Sequence, residues 1–264
     1  MSNNHPSEDP IDTIFLAEIF SAIQGEGLFV GHRQVFVRLN GCNIRCSYCD
    51  QPESLELRGG SCRIELDPGV RNWEIHQNPV DIIKAAELTV SLSKMIPHHS
   101  VSITGGEPLM QAGRLAIFLP ILKSQGLRVH LETNGTLVKA VARVLDWIDV
   151  VSLDIKLDSA DGQQIDLSIH EQFLAKAAQA TTPPLIYEKI VIGSSTTSVE
   201  LCEAVSMIRT IDPKATIFLQ PVTPFGTVTT APSPEQLLTL QAEALNVHPD
   251  IRVVPQTHKM IGQL

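Results

Sequence analysis

Three cysteines lie close together in the sequence and could hold a metal centre. Cys42, Cys46 and Cys49 form a CxxxCxxC run, and three such thiolates can hold three irons of a 4Fe–4S cluster. The fourth iron would then lack a protein ligand, so it could bind a small molecule through nitrogen and oxygen donors. A structural zinc site, with its fourth ligand from Cys62 or His76, is a second interpretation, and a set of buried structural thiols is a third.

Polar motifs that suit ligand binding follow several apolar runs further along the chain. Thr104-Gly-Gly-Glu-Pro108 sets two glycines, where backbone can approach a ligand, beside Glu107, an acceptor for a cationic amine; the motif could also be only a turn. Later runs end at ETNG, DIK, QP and QTHK. His258 and Lys259 of the last motif could reach the same face, whereas we expect His130 to be a site-wall or core histidine.

Short apolar runs alternate with helical patterns along most of the chain. We expect strands at Ile14–Phe20, Gln34–Asn40, Ser100–Thr104, Leu127–Leu131, Val150–Leu153, Tyr187–Ile192, Ala215–Leu219 and Ile251–Val254. We expect helices at Pro79–Lys94, Gln111–Ser124, Leu137–Leu145, Ser168–Ala180, Val199–Thr210 and Pro234–Val247. The alternation predicts βα units with a mostly parallel sheet. Because loops after the strands of such units converge on one face, the polar motifs predict one shared site.

Local signals mark helix starts and two irregular segments. Asn78 before Pro79 offers an N-cap with proline at the first helical position, and capping boxes begin at Thr197 and Ser233. Residues 51–78 interrupt the alternation of strand and helix patterns, so we expect an insertion or long loop there. Residues 1–12 have the composition of a disordered N-terminal tail.

Composition limits the class of protein. The 264 residues carry 20 Lys and Arg against 29 Asp and Glu, a net charge of −9, and 43% are hydrophobic. These values exclude a largely disordered chain and argue against a nucleic-acid partner held by phosphate contacts. We find no apolar window of membrane-spanning length and no signal-peptide pattern, so we expect no membrane partner and a cytoplasmic protein. Five cysteines with three bunched together do not fit a disulfide framework.

The CxxxCxxC run, with an aromatic residue before its last cysteine and GGEP downstream, resembles the radical S-adenosylmethionine (SAM) superfamily. Within it, the chain resembles the 7-carboxy-7-deazaguanine synthase family of queuosine and deazapurine biosynthesis. Further motifs that carry the resemblance are EIFSAIQGEG at 18–27, FVRLNGC at 36–42, LETNG at 131–135, SLDIK at 152–156, QPV at 220–222 and QTHK at 256–259.

The resemblance implies one α/β domain over residues 13–264, folded as a partial, open parallel βα barrel. It also implies a carbon–nitrogen lyase that converts 6-carboxy-5,6,7,8-tetrahydropterin to 7-carboxy-7-deazaguanine with loss of ammonia.

The resemblance also implies roles for individual residues. Cys42, Cys46 and Cys49 would hold the 4Fe–4S cluster, whose free iron binds the amine and carboxylate of SAM. The implied SAM-binding residues are Tyr48, Gly106, Glu107, Asp154, Ile155, Lys156 and Gln220. The implied pterin-binding residues are Ile23, Gln24, Gly25, Glu26, Arg38 and Thr104. Arg38 suits the substrate's carboxylate, because guanidinium and carboxylate pair in a bidentate fork.

Two departures from the family pattern affect these expectations. The family usually has Thr or Ser two residues after the last cysteine, where the hydroxyl helps hold Mg²⁺, but this chain has Gln51. An amide oxygen can ligate Mg²⁺, but its longer stem would shift the ion, which puts strict Mg²⁺ dependence in question. SLDIK replaces the shorter SPK of many members, and Asp-x-Lys is also similar to a motif of glycyl-radical activating enzymes.

The expected partners are the pterin, an electron-donor protein such as flavodoxin or ferredoxin, and a second copy of the chain in a homodimer. One alternative is an activating enzyme that takes hydrogen from a partner protein's glycine, which predicts a wide mouth and leaves IQGEG unexplained. Others are a radical enzyme for an altered pterin-like substrate and a non-catalytic zinc or iron–sulfur module.

Overall fold

The computed structural model describes residues 11–57, 59–162 and 165–263. Its strands, β1 to β12 in chain order, are Thr13–Ile14, Leu16–Ile23, Arg33–Leu39, Gly60–Glu65, Trp73–Asn78, Val80–Asp81, Ser100–Gly105, Val129–Thr133, Val150–Ile155, Leu185–Ile192, Ile217–Pro221 and Ile251–Val253. Its α-helices, α1 to α8, are Ile82–Met95, Ala112–Ser124, Val138–Val141, Asp158–Asp161, Leu167–Ala178, Ser198–Ile211, Pro234–Val247 and Thr257–Met260. Short 3-10 helices are Gly27–Phe29, Pro52–Ser54, Pro108–Gln111 and Leu145–Trp147. None of the described helices combines the length and apolar character needed to cross a membrane.

A ten-stranded sheet organises the molecule, in the order β12-β11-β10-β9-β8-β7-β3-β2-β4-β5. From β3 through β7 to β12, every neighbouring pair is parallel. β2 runs antiparallel to β3, and the antiparallel pair β4 and β5 extends the sheet beyond β2. Among the described residues the two edge strands do not pair with each other, so the barrel is partial and open, which confirms the expected fold class.

Amphipathic helices cover the sheet and bury a continuous apolar core. In α2, Leu115, Phe118, Leu119 and Leu122 are all at most 1% exposed, and their spacing puts them on one helix face. They belong to one apolar cluster with strand residues such as Leu131. This packing fixes the parallel strands, and therefore fixes where their carboxyl ends lie.

Helix starts follow the capping signals in two cases of three. The side chain of Ser233 accepts from the backbone N–H of Gln236, and that of Thr197 accepts from the N–H of Glu200. α1, however, begins three residues later than Pro79 would place it, with Asp81 as its N-cap. The helix itself is confirmed, but its predicted start was wrong because Asn78 bonds to the Leu16 backbone of β2 instead of capping a helix.

Residues 60–78 contain the β4–β5 hairpin rather than an irregular loop. The hairpin pairs Cys62 with His76, and the Glu65 carboxylate accepts from the backbone N–H of Ser21, which ties β4 to the body of the sheet. β5 gave no strand signal because it is an edge strand without buried residues. The helix expected at 137–145 is shorter than predicted, since only α3 is α-helical there. Of the tail expected at 1–12, residues 1–10 lie outside the described residues.

β10 carries a buried carboxyl group without a partner on the face that points toward the helices. Glu188 is fully buried, and neither carboxyl oxygen has a hydrogen-bond partner in the described part of the chain. Burial, with a further contribution from Asp212, raises the pKa of Glu188 from 4.5 to about 8. Since the folded state then binds the proton more tightly than the unfolded state, stability falls as pH rises from about 4.5 through 8.

Replacing Glu188 with Gln should remove most of this pH dependence. From the pKa difference, ionisation of Glu188 costs the native wild-type protein about 5 kcal/mol above pH 8. Urea denaturation at pH 5.5 and 8.5 should therefore show the free energy of unfolding falling more in wild type than in Glu188→Gln. Glu87→Gln, on the exposed face of α1, is the matched control. Equal losses in wild type and Glu188→Gln would refute the assignment.

Candidate active site

An open cleft lies at the carboxyl ends of the parallel strands, where the sequence motifs converge. All but two of the predicted site residues line it: Ile23, Gln24, Gly25, Glu26, Arg38, Cys42, Cys46, Tyr48, Cys49, Gln51, Thr104, Gly106, Asp154, Lys156 and Gln220. The two exceptions are Glu107 and Ile155, which are fully buried. For the motifs that follow β3, β7, β9 and β11, this convergence follows from the parallel sheet, because those strands end at one edge. Residues 23–26 follow β2, which runs antiparallel to β3, so the parallel pairing does not account for their position.

The cysteine loop follows β3 and presents three cysteine side chains to the cleft. Its start is fixed by backbone hydrogen bonds from Gly41 N to Ser54 O (2.8 Å) and from Cys42 N to Leu55 O (3.0 Å). Cys42, Cys46 and Cys49 are half-buried and free of disulfides. Burial raises the pKa of the Cys42 thiol, and the nearby Glu107 and Cys49 raise it further. These thiols become thiolates when a metal centre supplies positive charge.

The donor set fits an iron–sulfur cluster better than one zinc ion. Within residues 11–57, 59–162 and 165–263, no three His, Cys, Asp or Glu side chains are grouped so that they could hold a metal ion. Three thiolates on one tetrahedral zinc would lie about 3.8 Å apart, whereas each cysteine of a cluster binds its own iron. Cys62 and His76, the candidates for a fourth zinc ligand, pair on the β4–β5 hairpin and do not line the cleft.

The GGEP turn packs directly against the cysteine loop. A Cβ atom on Gly106 would lie 2.4 Å from the Gly41 carbonyl oxygen and 2.8 Å from Cys42 Cβ, so only glycine fits there. The backbone N–H of Glu107 donates to the same carbonyl at 2.7 Å. Gly106 therefore allows the two loops to pack closely, and it also lines the cleft.

The Glu107 carboxylate points into the protein, contrary to the expectation that it would meet an amine in the cleft. Oε1 accepts from Thr133 Oγ1 (2.9 Å) and from Leu109 N (3.0 Å), and Oε2 accepts from Asn134 N (2.8 Å). Burial raises the pKa of Glu107 to about 7, although these hydrogen bonds lower it. Its acceptor capacity is largely used inside the fold, where it joins the GGEP turn to the end of β8.

One end of the cleft carries a lysine network with spare acceptors. Lys156 Nζ donates to Asp154 Oδ2 (2.7 Å) and to Tyr48 Oη (3.0 Å). Asp154 Oδ1 and, nearby on β11, Gln220 Oε1 are buried and have no partner among the described residues. A buried acceptor without a donor costs about 1–3 kcal/mol, so these atoms fit a ligand with hydroxyl or amine donors, such as a nucleoside.

Arg38 lies in the cleft wall with its orientation fixed. Its Nε donates to Glu18 Oε1 at 2.8 Å, and its guanidinium lies 5.5 Å from the centroid of the Phe20 ring. Glu18 is itself buried and also binds Arg63. The hydrogen bond uses only Nε of Arg38, so both terminal Nη groups can meet an anionic ligand.

The C-terminal segment 256–263 closes part of the cleft against the IQGEG loop. Thr257 N donates to the Gly25 carbonyl at 2.9 Å, and a Cβ atom on Gly25 would lie 2.4 Å from the backbone nitrogen of His258. Lys259 Nζ pairs with Asp50 Oδ2 at 2.7 Å. His258 lines the cleft, as the motif at the end of the last strand allowed.

Sequence reasoning missed several residues that line the cleft. Lys189 of β10 pairs with Glu26, and Gln256 Nε2 donates to Glu26 Oε1 at 2.8 Å. Gln24 Nε2 donates to Glu132 Oε1 at 2.8 Å, which ties the IQGEG loop to the end of β8. Glu132 lies within the ETNG motif, but sequence reasoning gave it no role. A signal for Lys189 was available, because a charged residue inside the apolar run at 187–192 is unusual.

Comparisons with known proteins agree with this geometry. The family model described as the Radical SAM superfamily matches residues 36–174. The chain is 39% identical over 251 residues to the 7-carboxy-7-deazaguanine synthase of Geobacter sulfurreducens, covering 94% of this chain and 97% of the relative. It is 33% identical over 261 residues to the synthase of the same name from Methanopyrus kandleri, covering 96% and 95%. The crystal structure of QueE from Escherichia coli has a similar fold, with a TM-score of 0.55 at 20% identity over 96% of this chain and 99% of that one.

Replacing Gly25 with Ala should detach the C-terminal segment, because the added methyl would overlap the backbone of His258. We expect amide hydrogen exchange at Thr257 to accelerate about tenfold or more, which corresponds to about 1.4 kcal/mol of lost local stability. Gly59→Ala is the control, since its added Cβ would meet only ordinary contact at 3.7 Å. Unchanged exchange at Thr257 in Gly25→Ala would show that the close approach does not hold the segment.

Proposed function

The chain belongs to the radical SAM superfamily and, within it, to the 7-carboxy-7-deazaguanine synthase family, and from that membership we propose its reaction. It is a radical SAM lyase that converts 6-carboxy-5,6,7,8-tetrahydropterin to 7-carboxy-7-deazaguanine with loss of ammonia, in queuosine and deazapurine biosynthesis. The observation that carries the proposal is the cleft itself, which three cysteines outside any disulfide line together with spare polar acceptors and an oriented arginine.

Each end of the cleft has a separate task in this proposal. When bound, the cluster and SAM supply one-electron chemistry that removes a hydrogen atom from the substrate and later returns it. Cys42, Cys46 and Cys49 would hold the cluster. Asp154 and Gln220 would accept hydrogen bonds from SAM, and their buried, unpartnered oxygens support this role.

The protein's contribution at the other end is to bind and orient the pterin. The Nη groups of Arg38 would take the pterin carboxylate in a fork, and Glu18 fixes the guanidinium for this. Glu26, an acceptor on the opposite loop, would meet N–H donors of the pterin. The C-terminal segment limits the access of water, since it contacts both the Gly25 loop and Asp50.

The same segment argues against an activating enzyme for a glycyl radical protein. Such an enzyme must admit a polypeptide loop, so it needs a wide mouth. Here, Gln256 donates to Glu26 and Lys259 pairs with Asp50, so the mouth is bridged by side chains. This favours a small substrate.

Turnover by the holoenzyme tests the proposal. Anaerobically reconstituted protein given reductant, SAM and 6-carboxytetrahydropterin should form 7-carboxy-7-deazaguanine, detected by mass spectrometry. Cys46→Ser should reduce product to background because the cluster loses a ligand. Cys202→Ser, which alters a thiol outside the cleft, should leave turnover unchanged. No product from iron-loaded wild type, or normal product from Cys46→Ser, would reject the proposed reaction.

We further propose that this chain depends only weakly on Mg²⁺. Gln51 lines the cleft, but it supplies one neutral oxygen, and the carboxylate beside it, Asp50, is already paired with Lys259 at 2.7 Å. Mg²⁺ is usually bound through one or two carboxylates and several waters. These residues therefore fit the ion poorly, and no step of the reaction is routed through it.

Replacing Gln51 with Thr should strengthen the response to Mg²⁺. Titration from a chelated to a millimolar Mg²⁺ concentration should change wild-type turnover less than about twofold and that of Gln51→Thr several-fold, because a hydroxyl lets the ion approach. Gln125→Thr, at the exposed end of α2, controls for a general effect. Identical titrations for wild type and Gln51→Thr would mean that residue 51 is not a ligand.

Three finer expectations accompany the proposed function. An electron-donor protein such as flavodoxin or ferredoxin would reduce the cluster, the chain would act as a homodimer, and the enzyme would be cytoplasmic. The resemblance to the family and the composition support these statements.

A further inference from the structure

A buried lysine lies in the cleft at a position that the proposed reaction does not use. Lys189, on β10, is 5% exposed and lines the cleft. Its Nζ donates to Glu26 Oε2, in an ion pair whose side chains are 7% and 16% exposed. Removing two charges from water costs several kcal/mol per ion unless they pair closely. The burial of this ion pair therefore calls for a functional explanation.

The surroundings of Lys189 keep it charged. Burial alone would lower its pKa, but Glu26, Asp154 and Glu132 all face its ammonium and raise the pKa above the ordinary value. The Asp154 carboxylate is already paired with Lys156. Lys189 therefore helps to balance the charges of Glu26 and Glu132 in the cleft.

Lys189 in turn sets the state of Glu26. Burial would raise the pKa of Glu26, whereas Lys189 and a hydrogen bond from Gln256 lower it to about 2, with His258 adding to the effect from the C-terminal segment. Glu26 Oε1 accepts from Gln256 Nε2 and Oε2 accepts from Lys189 Nζ. A carboxylate offers about four lone-pair positions, so two remain for a ligand in the cleft.

The proposed substrate carries a matching pair of donors. The aminopyrimidinone ring of a pterin presents a ring N–H and an exocyclic NH₂ side by side, and an ionised carboxylate can accept from both at once. A protonated Glu26 would keep only part of this acceptor capacity. Its carboxyl O–H would also face an N–H donor of the pterin, and two donors cannot form a hydrogen bond with each other.

We propose that Lys189 is a positioning residue for pterin recognition: its ammonium keeps the Glu26 carboxylate ionised and aimed into the cleft, so that Glu26 accepts the two N–H donors of the aminopyrimidinone edge. The inference rests on the proposed function, since the ligand is the pterin. It predicts that Lys189 acts through Glu26, and not by touching the pterin itself.

Equilibrium binding to the loaded but unreduced holoenzyme tests the inference without turnover. Isothermal titration of 6-carboxytetrahydropterin into the SAM-bound protein should show Lys189→Met weakening binding about 10- to 100-fold at pH 7, the range expected for a lost charge-assisted hydrogen bond. In a Glu26→Gln background the same change should cost less than about threefold, because the group through which Lys189 acts is gone.

The pH dependence adds a result that a purely structural role would not produce. Relative to wild type, Lys189→Met should bind the pterin worst near pH 5 and recover toward pH 9, because burial then raises the pKa of Glu26 and acid neutralises it. His258 also faces Glu26, and comparison with wild type cancels its titration. Asp50 accepts from the same Gln256 amide at 3.4 Å.

Lys123→Met is the matched control. Lys123 forms a 2.6 Å pair with Asp149 outside the cleft, so its loss should leave pterin binding unchanged. Equal losses for Lys189→Met in both backgrounds, a loss that does not vary with pH, or no loss would overturn the inference while leaving the proposed function intact. Failure of wild type to bind the pterin at all would overturn both.

Discussion

The contact between the cysteine loop and the GGEP turn fixes the loop relative to the ends of the neighbouring strands. Parallel pairing of β3 with β7 puts Leu39 beside Gly105, and Glu107 N then donates to the Gly41 carbonyl at 2.7 Å. The Glu107 carboxylate extends the connection to Thr133 and to the backbone of the following residue at the end of β8. A cluster on this loop is thereby fixed relative to three strand ends, and with them to the cofactor and substrate sides of the cleft.

Two buried lysine–carboxylate pairs divide the cleft beyond the loop. Lys156 with Asp154 lies on the proposed SAM side, and Lys189 with Glu26 lies on the proposed pterin side. Buried pairs of this kind add little to stability, because desolvation cancels much of their attraction. Their value is in orientation, since each holds a carboxylate ionised at a fixed position before a ligand arrives.

Sequence reasoning was most successful where chemistry follows a strand end. Polar residues directly after apolar runs, such as Asp154, must lie at the common edge of a parallel sheet, so their convergence was predictable. Side-chain direction was not predictable: Glu107 turns inward because the end of β8 offers it three donors, which no local pattern reveals. No role for Lys189 or Glu188 was predicted from the sequence, because nothing in the apolar run shows that the cleft buries one and the helices bury the other. The β4–β5 hairpin was missed because an edge strand lacks the apolar alternation of a half-buried one.

The central claim is that three thiolates hold a cluster with one iron left for SAM. Electron paramagnetic resonance of the reduced protein, before and after addition of SAM and together with metal analysis, tests it most directly. The account predicts about four irons and four sulfides per chain and a signal that changes when SAM binds the iron without a thiolate. One zinc per chain without iron, or a cluster signal that SAM leaves unchanged, would contradict the account.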